Sequence, residues 1–198
     1  MKSILLLLLL FIASGELIIS STATPTDFIR TSCNATRYPT LCIQSLSSYA
    51  TAVRRDPRQL ARAALNVSAE HARAASAFVS RVAANGSKSL KGREAGAVKD
   101  CVENMADSEE QLRRSVKEMG RMGSGEFAWH VSNVQTWVSA ALTDVNTCMD
   151  GLGKGKKKKK EYYSDDVGVV GIRKKVVVVA QTISNALALV NRMASLNN

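Results

Sequence analysis

Apolar residues recur at three- and four-residue spacing along four long stretches of this chain, the signature of helices that each bury one face. Between about Leu90 and Met119, Val98, Val102, Met105, Leu112, Val116 and Met119 keep heptad-like spacing. From Phe127 to Met149, Val131, Val134, Val138, Ala141, Val145 and Cys148 share one face. The last stretch, Val169 to Ala194, carries Ile172, Val176, Val179, Ile183, Ala186, Val190 and Met193 in helical register. Val176 to Val179 has strand propensity on its own, but the register of the whole segment favours a helix. Ahead of these, Asp56-Pro57 reads as an N-cap followed by proline at the first helical position. It opens an Ala-, Leu- and Arg-rich helix that ends near Asn85-Gly86. Glycines 120, 123 and 125 mark one turn, and GLGKGKKKKKEYYSDDVG is a loop by composition. Phe28 to Tyr49 predicts two or three short helical turns folded back on themselves. The expectation is an all-α protein, an up-down-up-down four-helix bundle with a short N-terminal helical hairpin.

Four cysteines sharpen that picture. Cys33 and Cys42 flank CNATRYPTLC, in which Pro39 forbids one continuous helix. Cys101 lies in the first half of one long stretch and Cys148 closes the next, so an antiparallel hairpin brings them side by side. Four cysteines allow three connectivities, and the sequence alone does not choose between them. Geometry favours Cys33–Cys42 and Cys101–Cys148, because each bridge then needs only the Cα separation a disulfide tolerates. Four buried free thiols are the alternative, in a reducing compartment.

The first residues bear on that choice. Lys2, the apolar run Ile4 to Ile12 and Ser21-Thr22-Ala23 read as a secretory signal peptide over residues 1–23, leaving a single domain over residues 24–198. That run is too short for a membrane span, and no later stretch reaches about twenty apolar residues. A secreted protein that does not span a membrane is expected. Sequons at Asn34, Asn66 and Asn85 fit the same route and are glycosylation candidates.

Charge adds a partner class. Lys and Arg total 27 against 17 Asp and Glu, a net charge of +10. Lys2 and Glu16 leave together with the signal peptide, so processing does not change it. A strongly basic secreted protein lingers near polyanions. Lys154 and Lys156 to Lys160 are a candidate contact for an acidic polysaccharide or an anionic membrane, or a solvated loop. Nucleic acid is not expected as a partner, since Tyr162 and Tyr163 are the only aromatics near those lysines.

Catalytic chemistry is poorly represented. His71 and His130 are the only histidines, and neither belongs to an HExxH, CxxC, GxSxG or P-loop pattern. No catalytic residue, metal or cofactor is expected. The second long helix offers a surface instead, for Glu103, Asp107 and Glu110 fall on one stripe at i, i+4, i+7. An acidic ridge suits a basic partner, although an ordinary solvated face is the simpler account from these residues alone. On the third helix Thr136, Ala140, Thr143, Thr147 and Asp150 form a companion stripe of small or polar side chains.

These segments resemble the plant invertase and pectin methylesterase inhibitor family. IRTSCNATRYPTLCIQSLSSYA is similar to its N-terminal hairpin, and DCVENMADSEEQLRRSV to its second-helix signature. VQTWVSAALTDVNTCMDG resembles the third-helix signature, and QTISNALALVNRMAS the closing helix. The resemblance implies a disulfide-stapled bundle without catalysis, acting in the apoplast or cell wall as a one-to-one inhibitor of a cell-wall enzyme. In the pectin methylesterase branch it implies that the inhibitor covers the substrate cleft and excludes the polymer. Carried over from the helix cysteines, the implied contacts are Glu103, Asp107, Glu110, Thr147 and Asp150. The Pro-Lys-Phe motif of the invertase branch is missing here, which favours pectin methylesterase as target over acid invertase. A basic polyanion-binding wall protein, contacting acidic pectin through Lys154 and Lys156 to Lys160, is the alternative from another class.

Overall fold

A computed structural model describes residues 24–86, 90, 92–123, 125–153 and 167–196. Two short helices come first, α1 (Pro25–Asn34) and α2 (Pro39–Leu46), then a 3-10 turn at Ser47–Tyr49 and the single turn α3 (Ala50–Val53). Four long helices follow: α4 (Pro57–Gly86), α5 (Arg93–Met119), α6 (Phe127–Gly151) and α7 (Val167–Ser195). Among the described residues there is no strand. Helix α5 packs on α6, α6 on α7, α7 on α4 and α4 on α5, so the four close into a ring. This is the bundle that the periodicity predicts, with the α1–α2 hairpin laid against α4 and α7. Residues 1–23, expected to be a signal peptide, lie outside the described residues, as do Tyr162, Tyr163 and the lysine run.

Local chemistry sets the helix ends. Thr24 and Asp27 form a capping box in front of α1. Asp56 accepts the backbone N–H of Arg58 at 2.8 Å, with Pro57 beginning α4 as expected. Helix α5 starts at Arg93 rather than near Leu90, because Gly92 ahead of it takes φ +53°, outside helical space. Leu90 is buried all the same. Val176 to Val179 is helical, and burial follows the helical period: Val176 and Val179 are buried while Val177 is 41 % exposed. Gly171 serves a close approach, since a Cβ there would stand 2.9 Å from the Phe78 ring.

The core is continuous from the hairpin to the far end of α7. Ile29, Cys33, Cys42, Leu46 and Val53 join Leu60, Leu65, Val79, Met105, Leu112, Val138, Ile172, Ile183 and Met193 in it. Gly168–Ser195 is long and apolar enough to cross a membrane by length and composition, a stretch that counting apolar residues alone passes over. Half of its most apolar window is buried within the bundle, where it supplies the fourth core face.

Two buried polar clusters tie the long helices and the hairpin together. Asn185 of α7 accepts the Tyr38 N–H at 3.0 Å and donates to the Tyr38 carbonyl at 2.9 Å, pinning the hairpin turn. Asn185→Ala strands the Tyr38 N–H and leaves the Tyr38 carbonyl with the Cys42 N–H alone. A loss of about 2–4 kcal/mol in urea unfolding is expected, with faster amide exchange confined to α1 and α2.

The second cluster closes the α5–α6 end. Glu118 is 4 % exposed and lies in the last turn of α5, where a negative charge opposes the helix dipole. Its carboxylate accepts from His130 Nδ1 at 2.8 Å, Asn133 Nδ2 at 3.1 Å and Arg121 Nη1 at 3.2 Å. A carboxylate is acceptor-only, so the proton sits on His130 Nδ1. The His130 and Asn133 hydrogen bonds, with help from Arg121, outweigh burial and hold the Glu118 carboxyl below its usual 4.5. A depressed carboxyl value stabilises the fold above the ordinary value, and that stability is lost as pH falls through the depressed one. Glu118→Gln should therefore cost about 1.5–3 kcal/mol in urea melts near pH 7. The gap between variant and parent should narrow in strong acid, where the parent carboxyl is protonated as well.

Candidate functional site

Both expected disulfides are present. Cys33–Cys42 joins α1 to α2 at a Cα separation of 5.5 Å. Cys101–Cys148 joins α5 to α6 at 4.4 Å and fixes the register of the two helices. Their four sulfur-bearing residues are buried, so none offers a thiol to solvent. With that register set, the outer faces of α5 and α6 form one continuous surface.

Glu103 and Asp107 stand exposed one turn apart on α5, as the helical period requires. Glu110 behaves differently. It accepts from Arg113 Nε at 2.7 Å and from Arg114 Nε at 2.9 Å. These hydrogen bonds, Arg113 first, lower its carboxyl value to about 2. Its charge is answered within α5, so the free negative potential of the ridge rests on Glu103 and Asp107. The i, i+3 and i, i+4 spacing of Glu110 to the two arginines carried this signal in the sequence.

Asp144 on α6 is the residue that the stripe reading missed. It is half-buried, and its carboxyl is pushed up, first by burial and then by the charge of Asp107 across the helix pair. Asp144 precedes Thr147 by one turn, which was visible in the sequence. Its proximity to Asp107 becomes visible only once the bridge fixes the register. Asp107 and Asp144 thus form a two-helix acidic pair with Glu103 beside it.

Thr147 and Asp150 are exposed on α6. The Thr147 hydroxyl donates to the Thr143 carbonyl at 2.9 Å, and Thr143 donates to Ser139 at 3.0 Å. Both hydroxyl protons are used internally, which leaves oxygen lone pairs for an incoming donor. Asp150 lines a cleft of about 280 Å³ at the disulfide end of the bundle, together with Arg93, Glu94 and Arg173. Thr136 is exposed and Ala140 half-buried, so the companion stripe is an outward face over most of its length.

The remaining candidates are scattered. Asn34 is exposed at the end of α1. Asn66 is half-buried in mid-α4 and lines a groove with Glu70, Arg73 and Arg113, and its sequon hydroxyl, Ser68, is buried and bonded to the Ala64 carbonyl. Asn85 is exposed near the end of α4. Lys154 and Lys156 to Lys160 lie outside the described residues. His71 is exposed on α4, and His130 is held by Glu118 far from the ridge. Among the described residues no group of three His, Cys, Asp or Glu side chains could hold a metal ion.

Comparison with known proteins gives a concordant result. Residues 27–189 match the family model described as "Plant invertase/pectin methylesterase inhibitor". The chain is 44% identical over 200 residues to "Pectinesterase inhibitor 9" of Arabidopsis thaliana, covering 94% of this chain and 92% of that protein. It is 43% identical over 192 residues to the "21 kDa protein" of Daucus carota, covering 94% of each. Among solved structures, mutant form A of a pectin methylesterase inhibitor from Arabidopsis superposes with a TM-score of 0.62. That match covers 82% of this chain and 95% of that one at 18% identity, a likeness of fold.

Proposed function

Because the chain belongs to the plant invertase/pectin methylesterase inhibitor family, we propose that it is a secreted inhibitor of pectin methylesterase. It seats the α5–α6 ridge in the enzyme's substrate cleft, one inhibitor to one enzyme, and so regulates methylesterification of cell-wall pectin. The family consists of non-enzymatic inhibitor proteins, several of whose members are named pectinesterase inhibitors. The observation that carries the reading is the exposed Glu103–Asp107 pair with Asp144 opposite, on helices locked together by Cys101–Cys148. In a chain of net charge +10, a concentrated negative patch selects an oppositely charged partner surface and orients the encounter. Inhibition is steric: the bundle occupies the cleft and excludes the polymer. The signal-peptide reading of residues 1–23, with two buried disulfides, supports secretion to the apoplast.

Complex formation tests this directly. The mature protein mixed with a plant pectin methylesterase should elute in gel filtration as a single 1:1 species, while acid invertase elutes unchanged. A complex with invertase alone would transfer the reading to the family's other target.

The ridge also predicts a pH dependence. Asp144 ionises above its ordinary 3.8 in the free protein, and a cationic partner favours its charged form. Binding must therefore release a proton in acid, and affinity should rise as pH climbs through the raised value. Asp144→Asn should flatten the dependence of affinity on pH in the range just above the ordinary carboxylate value, as read by titration calorimetry. An unchanged slope would place the titrating group elsewhere.

A further inference from the structure

On the opposite shoulder of α6 from the ridge, a groove of about 200 Å³ runs between α6 and α7 and is closed at one end by the hairpin turn. Leu142, Met149, Val177 and Ala180 give it apolar lining. Its walls carry the amides of Asn146 and Gln181, the hydroxyl of Ser184 and, at the closed end, Arg37 and Tyr38. We propose that this groove binds an acidic oligosaccharide, with Arg37 taking a carboxylate and Asn146, Gln181 and Ser184 taking sugar hydroxyls.

Four features point to that ligand class. Among the described residues, the side chains of Asn146, Gln181 and Ser184 hydrogen-bond to no other protein group. Two amides and a hydroxyl offer donors and acceptors side by side, which is what vicinal sugar hydroxyls require. Arg37 lies with its guanidinium carbon 5.7 Å from the centre of the Tyr38 ring. A carboxylate forked by that guanidinium therefore sits beside an aromatic body against which sugar C–H groups can pack.

The closed end is pre-set, because Asn185 holds both backbone groups of Tyr38 at 3.0 and 2.9 Å. Little ordering remains to be done when a ligand arrives. Charge agrees as well. Exposed Lys174 lies one turn before Val177 on the stripe that continues through Gln181 and Ser184, so one cation stands beyond the open end and Arg37 at the other. With polar and apolar groups interspersed, the groove lacks the continuous apolar surface that a partner helix would bury.

The site stands on the groove's own chemistry and is independent of the inhibitor reading. Titration calorimetry of the mature protein with a defined oligogalacturonide, its methyl-esterified form and a neutral malto-oligosaccharide tests it. The acid form should bind, the ester at least about tenfold more weakly, and the neutral sugar not measurably. Arg37→Gln and Gln181→Ala should each weaken binding by at least about tenfold, with unchanged melting temperatures. Replacing Lys154 to Lys160 with Gly and Ser should leave the affinity within about twofold. Binding lost with the lysine run but kept in both groove variants would overturn the proposal and assign the polyanion contact to the loop. Equal binding of acid and ester forms would overturn it too. Pectin methylesterase inhibition should persist in both groove variants; its loss would show that the groove faces the enzyme rather than a sugar.

Discussion

Asp107→Arg should abolish most esterase inhibition while leaving the fold untouched. Asp107 is exposed on the outer face of α5, where a substitution costs less than about 0.5 kcal/mol of stability. The variant does more than delete one charge. An arginine at position 107 faces Asp144, whose carboxyl already senses the charge at that position, and would pair with it. The pair at positions 107 and 144 then goes from two negative charges to none, and the ridge loses its attraction for a basic partner surface. Losing close interfacial charge pairs costs a few kcal/mol, so complex affinity should fall about 100-fold, near 3 kcal/mol. Glu110→Arg should do much less, because Arg113 and Arg114 already answer that carboxylate. Inhibition constants for the two variants, beside their melting curves, make the comparison. Normal inhibition by a well-folded Asp107→Arg protein would remove the ridge from the mechanism.

Loss of the Cys101–Cys148 bridge should have the largest effect on stability. Its sequence separation of 47 residues gives about 4 kcal/mol from restricted unfolded-chain entropy. The Cys33–Cys42 bridge, with a separation of 9, gives about 2.5 kcal/mol on the same basis. Urea unfolding of the Cys101→Ser/Cys148→Ser and Cys33→Ser/Cys42→Ser double variants should show that order. The first pair should also weaken inhibition with every ridge residue intact, since that bridge sets Asp107 against Asp144. The second should spare inhibition, because the hairpin lies against α4 and α7.

Much of the architecture was legible because burial follows period. Val176, Val179, Ile183, Ala186, Val190 and Met193 are buried in the order that helical spacing demands, which overrides the strand propensity of four consecutive valines. Helix ends were legible where capping chemistry was local, as at Asp56-Pro57, and shifted where a positive-φ glycine intervened, as at Gly92.

The candidate site divides in the same way. A stripe along one helix can be read from spacing, so Glu103 and Asp107 were found. Pairing between helices needs a register, so Asp144 and the Glu118–His130–Asn133 cluster emerged only with the fold. The α6–α7 groove is further from the sequence still. It depends on Tyr38 meeting Asn185, 147 residues away, and no local pattern reports such a contact.

The central claim is that this bundle silences a pectin methylesterase by occupying its cleft. Titrating a plant pectin methylesterase with the folded, disulfide-bonded mature protein at mildly acidic pH, with acid invertase in parallel, tests it most directly. Esterase activity should fall linearly to near zero at one inhibitor per enzyme, with invertase unaffected. Full esterase activity at several-fold molar excess of the inhibitor would contradict the account.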